Sequence, residues 1–249
     1  MENWQIFLII LGICIIVFLV FALPRKKHER VPSIEGLDIP EVAKAFETMA
    51  KTPPFILLRR KIISQLKKLE PKGTLIDLGC GSGNLLLKIA KLFPNLELIG
   101  IDISFEILSL AEKRLTEHSF DSKITFKVGN VENIPAPDNS VDFIVSSFSL
   151  HHWSEPLKVF KEIYRVLNEN GTCLIFDFRR NSRNFFYGLL TFATKVVVPK
   201  PLKKISEPLG SLKAAYTANE ITKILSHTQF SEIKINPYLA WMFIVLSKY

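Results

Sequence analysis

The sequence predicts an α/β protein: a doubly wound sheet of seven strands covered by helices on both faces, its last strand antiparallel, preceded by a single transmembrane helix. Three observations carry this expectation. Short apolar runs of β type alternate with helical runs through the middle of the chain, the pattern of a parallel sheet layered with helices. A glycine-rich stretch, IDLGCGSGN at residues 76–84, falls where the first strand of that series gives way to the first helix. Ahead of it all, Ile6 to Leu23 form a run of 18 residues with no charged or strongly polar side chain.

At about 1.5 Å per residue that run reaches roughly 27 Å, close to the hydrocarbon thickness of a bilayer. A signal peptide would want a basic start and a small-x-small cleavage site. Here the start is MENW, with Glu2 and no lysine or arginine, and the run ends in FALPRKKHER. Residues 1–24 are therefore expected to form a single-pass anchor. Arg25, Lys26, Lys27 and Arg30 behind it put the catalytic remainder on the cytoplasmic side. Cys14, Cys80 and Cys173 show no metal-site or redox spacing, which fits a reducing compartment and predicts no metal. The net charge of +8 raises nucleic acid as a partner, but the basic excess gathers behind the apolar run and in residues 179–204. Anionic lipid headgroups explain that distribution more simply, at roughly 1 kcal/mol per basic residue near the surface.

Residues 25–39 are charged and proline-broken and read as a basic linker. Residues 40–71 read as two helices meeting at Pro53-Pro54, an N-terminal helical cap. From residue 72 the alternation begins. TLIDLG and LELIGID are strands around the helical NLLLKIAKLF, with Pro94-Asn95 as the turn. EILSLAEKRLTEH is helical, KITFKVG and VDFIVSSF are strands, EPLKVFKEIYRVL a helix and GTCLIFDF a strand. A last helix, ANEITKILSHTQ, precedes two strand-like runs, FSEIKINP and LAWMFIVLSK, close enough to pair antiparallel.

The glycine loop sits at the carboxyl end of the first strand, where doubly wound sheets bind ligands and where the main chain must be closely approached. It is not a dinucleotide fingerprint: counting G-x-G-x-x-G from Gly79 ends at Asn84, and from Gly81 at Leu86. No Gly-Lys-Ser/Thr follows, so it is not a P-loop. What remains is Asp77-x-Gly79-x-Gly81-x-Gly83. This resembles the first motif of the class I S-adenosylmethionine-dependent methyltransferases, with a Rossmann-like sheet. The resemblance implies that Asp77 helps hold the amino-acid part of the cofactor while Gly79, Cys80, Gly81 and Gly83 let the backbone lie against it. A ligand bearing an ammonium and a sulfonium is better served by a carboxylate than by a cradle of N–H groups.

Asp102 ends the second strand in LIGIDIS, where a carboxylate can take hydrogen bonds from two ribose hydroxyls, and Ile103 would pack on the adenine. GNVENIPAPDNSVDFIVSSFSLHHW resembles the type 11 branch of the same enzymes. That likeness implies adenine recognition at Asn130, where aspartate is commoner, with Val131 and Ser147 completing the cofactor site. Ala136 stands where phenylalanine is usual. His151 and His152 are the catalytic candidates, since histidine titrates near neutral pH and can deprotonate a hydroxyl or thiol. Adjacent histidines on extended backbone would point to opposite sides, which leaves a packing role for one of them.

Aligning a nucleophile in line with the sulfonium methyl supplies much of the acceleration of methyl transfer, so acceptor identity resides in what covers the site. Two segments qualify: the cap 40–71 and an insertion, 179–216, basic at its ends and apolar around Phe185, Phe186, Leu189, Leu190 and Phe192. The insertion reads either as a lid whose phenylalanines face the pocket or as a membrane-surface segment. The expected activity of the domain 72–249 is methyl transfer from S-adenosylmethionine to a small, lipophilic acceptor at the membrane surface. The alternatives are a cofactor-binding scaffold without catalysis and a nucleic-acid methyltransferase. No nucleic-acid partner is expected, because SSFSLHHW replaces the Asn/Asp-Pro-Pro-Tyr/Phe signature after the fourth strand.

Overall fold

The computed structural model describes residues 3–25, 28–33, 36–117 and 124–249, with the side chains of Asn3 and of residues 19–21 left aside. Seven strands form one sheet: β1 Thr74–Leu78, β2 Glu97–Asp102, β3 Ile124–Val128, β4 Val141–Ser147, β5 Leu167–Phe178, β6 Glu232–Pro237 and β7 Trp241–Ser247. Their order is β3-β2-β1-β4-β5-β7-β6. β1 pairs in parallel with β2 and β4, while β7 runs antiparallel to β5 and β6, as expected. The order reverses at β1, so the loop after β1 opens into the crevice between β2 and β4.

Alternation along each central strand builds two cores. Ile76, Leu78, Ile144, Cys173, Ile175 and Ile244 face one side, where Val159, Phe160 and Ile163 of α6 (Pro156–Val166) and Ile221 and Leu225 of α10 (Ala218–Leu225) cover them. Leu75, Phe143, Val145, Leu174 and Phe176 face the other, against Leu86 and Ile89 of α4 (Asn84–Leu92), Leu108 and Leu115 of α5 (Phe105–Glu117), and Ile62 and Leu66 of α3 (Pro53–Leu69). Each fully buried Leu or Ile contributes about 1.5–3 kcal/mol. A capping box between Thr217 and Glu220 starts α10.

Above the sheet lie α2 (Pro40–Ala50) and the helices of the insertion, α7 (Asn184–Phe192), α8 (Lys200–Lys204) and α9 (Leu209–Ala214), with a π-turn over Ala193–Val197. Val42, Ala45 and Met49 of α2 pack on Leu202 of α8, so cap and insertion close over the carboxyl end of the sheet as one layer.

The N-terminal expectation is overturned. The first helix, α1 Asn3–Ala22, exists, but among the described residues no helix is long and apolar enough to cross a membrane. The single-pass localisation, with residues 1–24 as anchor and a cytoplasmic catalytic domain, is withdrawn on that finding. Beyond α1 the chain is fastened to the insertion: the Arg183 guanidinium donates to Leu23 O at 3.0 Å and Asn184 N to Pro24 O at 3.1 Å.

Nor is the stretch behind it a free tether. The Arg30 guanidinium donates to Ala214 O (2.7 Å) and His151 O (3.0 Å) and stacks 4.2 Å from the Tyr216 ring centre. Lys26 and Lys27, invoked for orientation, lie outside the described residues.

Candidate active site

The turn after β1 is shaped by what lies beside each glycine. Gly79 and Cys80 donate to Ile101 O (2.8 and 3.1 Å), which pins the loop to the end of β2. A Cβ on Gly79 (φ +71°) would stand 2.5 Å from Ser149 Oγ, so protein fills that side. Gly81 has φ +53° and nothing within 4 Å of the corresponding position; its bare side faces the cavity. Gly83 (φ +71°) caps α4 against Phe126 and is not among the cavity-lining residues. The Arg114 guanidinium donates to Ser82 O (2.9 Å) and pairs with Glu47, tying the loop to α2 in the covering layer.

Two carboxyl groups lie under this loop. Asp102 is 5% exposed; its Oδ2 accepts from Gly81 N (2.8 Å) and its Oδ1 from Ser104 N (3.1 Å), while the residue lines the cavity. Asp77 is 1% exposed and its Oδ1 has no hydrogen-bond partner. Burial, with the Asp102 charge adding to it, pushes the Asp77 carboxyl up to about 8. A buried carboxyl with one oxygen unpartnered, beside an open glycine loop, suits a cationic ligand with hydroxyl groups, which is what the implied cofactor offers. Burial also pushes the Cys80 thiol well above its usual range, so no thiolate nucleophile is offered.

The histidines stand on a 3-10 turn, Leu150–His152, and not on extended strand. Both therefore reach the same cavity, their ring centres 4.0 Å apart. His152 Nδ1 lies 3.2 Å from Ser33 Oγ, and its ring is pushed down to about 2 by burial, then by the charges of His151 and Arg30; it stays neutral. His151 is 2% exposed, with Nδ1 2.8 and 3.0 Å from the two oxygens of Asp177. Asp177 also accepts His151 N (2.9 Å) and Phe178 N (2.6 Å). A carboxylate on Nδ1 favours the tautomer with the proton on that nitrogen.

The remaining wall is aromatic and apolar. Phe148 holds φ +58°, a strained value for such a residue, which places its ring 5.6 Å from Phe55 and 5.2 Å from Phe178. Phe46 and Met49 of α2 add to this wall. From the insertion come Glu207, Pro208 and Ser211. The insertion contributes to the cavity wall, but not through the phenylalanines that the lid alternative would turn inward: Leu189 and Phe192 are exposed, and Phe185 and Phe186 are absent from the lining.

Of the residues singled out in the sequence, Gly79, Cys80, Gly81, Asp102, Ser147, His151 and His152 line one cavity, with Asp77 beneath the loop. Ile103 (63% exposed) and Asn130 lie outside the lining, and Val131 packs on a core cluster. Asn130 Oδ1 accepts Glu132 N at 2.9 Å. Sequence reasoning missed Asp177, Phe148, Glu207 and Ser211. For Asp177 a signal was present: it is the one charge in the apolar run GTCLIFDF.

Comparison with known proteins gives the family and the fold. Residues 69–227, more than half of the chain, match the family described as "Methyltransferase domain". A demethylmenaquinone methyltransferase of Thermotoga maritima is 30% identical over 142 residues, 57% of this chain and 59% of that protein. The ubiquinone/menaquinone biosynthesis C-methyltransferase UbiE of Geotalea daltonii is 30% identical over 57% of this chain and 60% of its own. The chain spans about half to three fifths of the length of such curated relatives. The crystal structure of an S-adenosylmethionine-dependent methyltransferase from Aquifex aeolicus aligns with a TM-score of 0.63 at 22% identity, covering 84% of this chain and 98% of that one.

Proposed function

The chain belongs to the methyltransferase-domain family, and from that premise we propose that it methylates a ring carbon of a lipophilic, hydroxylated aromatic acceptor of the quinone type. The enzyme class and the cofactor, S-adenosylmethionine, are those expected from the motifs. The acceptor class is drawn from the relatives' names and supported by the aromatic wall of Phe55, Phe148 and Phe178. The observation that carries the reading is His151 in the same cavity as Gly81 and Asp102, with the buried Asp177 held against its Nδ1.

Bound S-adenosylmethionine supplies an electrophilic methyl group on a sulfonium. Asp77 balances the ligand's ammonium, and Asp102 takes ribose hydroxyls while keeping Gly81 in place. His151 Nε2 would take the proton of a ring hydroxyl, raising electron density on the neighbouring carbon. That carbon would gain the methyl as the S–CH3 bond breaks, and S-adenosylhomocysteine would leave. The carbon's own hydrogen would be lost as a proton to restore the aromatic ring, and the imidazolium would return its proton to the ring oxygen. Asp177 steadies the imidazolium so formed. The phenylalanines exclude water and fix the ring plane. Exposed Leu189, Phe192, Val196 and Val197, with Lys195 among them, support contact of the insertion with a lipid surface from which such an acceptor would be drawn.

The test is anaerobic incubation of the protein with methyl-labelled cofactor and reduced naphthoquinols bearing isoprenoid tails of several lengths. Label on a ring carbon is the expected result. Cofactor bound with no transfer to any ring would leave a binding scaffold instead.

Asp77 makes cofactor binding depend on pH. The folded chain holds its proton up to about pH 8, the unfolded chain only to about pH 4. The ligand-free fold therefore loses stability as pH rises between those values. A cationic ligand prefers the ionised carboxyl, so binding should release a proton and weaken below pH 8, by up to about tenfold per unit. Calorimetry in buffers of differing ionisation enthalpy measures the release; an affinity flat from pH 6 to 9 would remove Asp77 from the ligand.

A further inference from the structure

We infer that Glu207, braced by Ser211, recognises the acceptor by taking a hydrogen bond from one of its hydroxyl groups at Oε1. This rests on the reading that the acceptor occupies the cavity described above, and it adds the residue that selects it.

Glu207 is 1% exposed and belongs to the cavity wall that the insertion provides. Its position is set by backbone: Glu207 N donates to Leu202 O at 2.9 Å. Oε2 is occupied, accepting from Ser211 N at 3.3 Å and from the Ser211 hydroxyl at short range. Oε1 is buried and has no hydrogen-bond partner. Gly210 leaves room for it, since a Cβ there would stand 2.8 Å from Oε1. A buried carboxyl oxygen without a donor is strongly disfavoured, so the arrangement is complete only when a ligand brings one. Burial pushes the Glu207 carboxyl up, and a donated hydrogen bond counters that by favouring the ionised form.

The donor is taken as a hydroxyl because the acceptor read into this cavity is a hydroxylated ring, whose O–H groups are the donors it can bring to Oε1. With His151 at one ring hydroxyl and Glu207 at another, the site selects a dihydroxylated ring.

The isosteric change Glu207→Gln tests this sharply. Ser211 offers two donors, so glutamine must turn its oxygen to Ser211 and its NH2 into the cavity. The polarity at Oε1 is reversed with no loss of volume. The probes are 1,4-dihydroxynaphthalene and its monomethyl ether, 4-methoxy-1-naphthol, titrated anaerobically into the protein saturated with S-adenosylhomocysteine. The wild type should prefer the diol at least tenfold. Glu207→Gln should lose that preference while binding S-adenosylhomocysteine unchanged. Equal binding of the two probes by the wild type, or an undiminished preference in Glu207→Gln, overturns the inference. The wild-type comparison decides alone if the variant does not fold. Absence of S-adenosylhomocysteine binding in the wild type would instead overturn the functional reading beneath it.

Discussion

Gly81→Val should bind S-adenosylmethionine at least 100-fold more weakly than the wild type while still folding. Nothing in the protein lies within 4 Å of the position a Cβ would take, so the side chain meets no wall of its own chain. It projects into the cavity that Asp102 and Cys80 also line. The backbone at φ +53° adds about 1–2 kcal/mol against any branched residue, which should lower the melting temperature by a few degrees without unfolding the domain. Gly81→Ala shares most of the backbone cost with far less bulk, so the difference between the two variants reports ligand space alone. Isothermal titration decides: near-normal affinity in the valine variant would put the ligand elsewhere than on this loop.

Asp177→Asn should lower kcat by about 10²–10⁴, the range of a positioned general base, with little change in cofactor affinity. The carboxylate accepts from His151 Nδ1, His151 N and Phe178 N, so an amide with a single acceptor oxygen must turn its NH2 toward one of those donors. The imidazole then loses the partner that fixes its tautomer. His151→Ala should fall to a similar rate, and the double variant should fall little further, because the two act as one unit. A pH–rate profile separates this role from a purely structural one: Asp177→Asn and His151→Ala should alter the wild-type profile in the same way. If kcat is unchanged with the profile intact, the pair is structural and methyl transfer proceeds by alignment alone.

Much of the frame was legible because it is written in local repeats. Leu75 and Ile76 fall into opposite cores by the two-residue period of a strand, and Val159, Phe160, Ile163 and Val166 share a helix face by the 3.6-residue period. Gly81 was legible for a similar reason: a left-handed backbone beside a ligand is a property of one residue and its neighbours. The histidine pair was visible, but its geometry was not. Read as extended, the two rings would diverge; the 3-10 turn brings both into one cavity.

The strand and helix alternation and the glycine loop at the end of β1 could be read from the chain, since each depends on neighbours along it. Only the tertiary structure decided the pairing of His151 with Asp177, 26 residues apart, because strand order sets which strand ends meet. The tertiary structure also puts Glu207 and Ser211, and not the insertion's phenylalanines, in the cavity wall. The N-terminal run shows the same limit. Counting apolar residues suggested a span, whereas the described helix falls short of one and the chain behind it is bound to Arg183 and Asn184, contacts between segments that no local count contains.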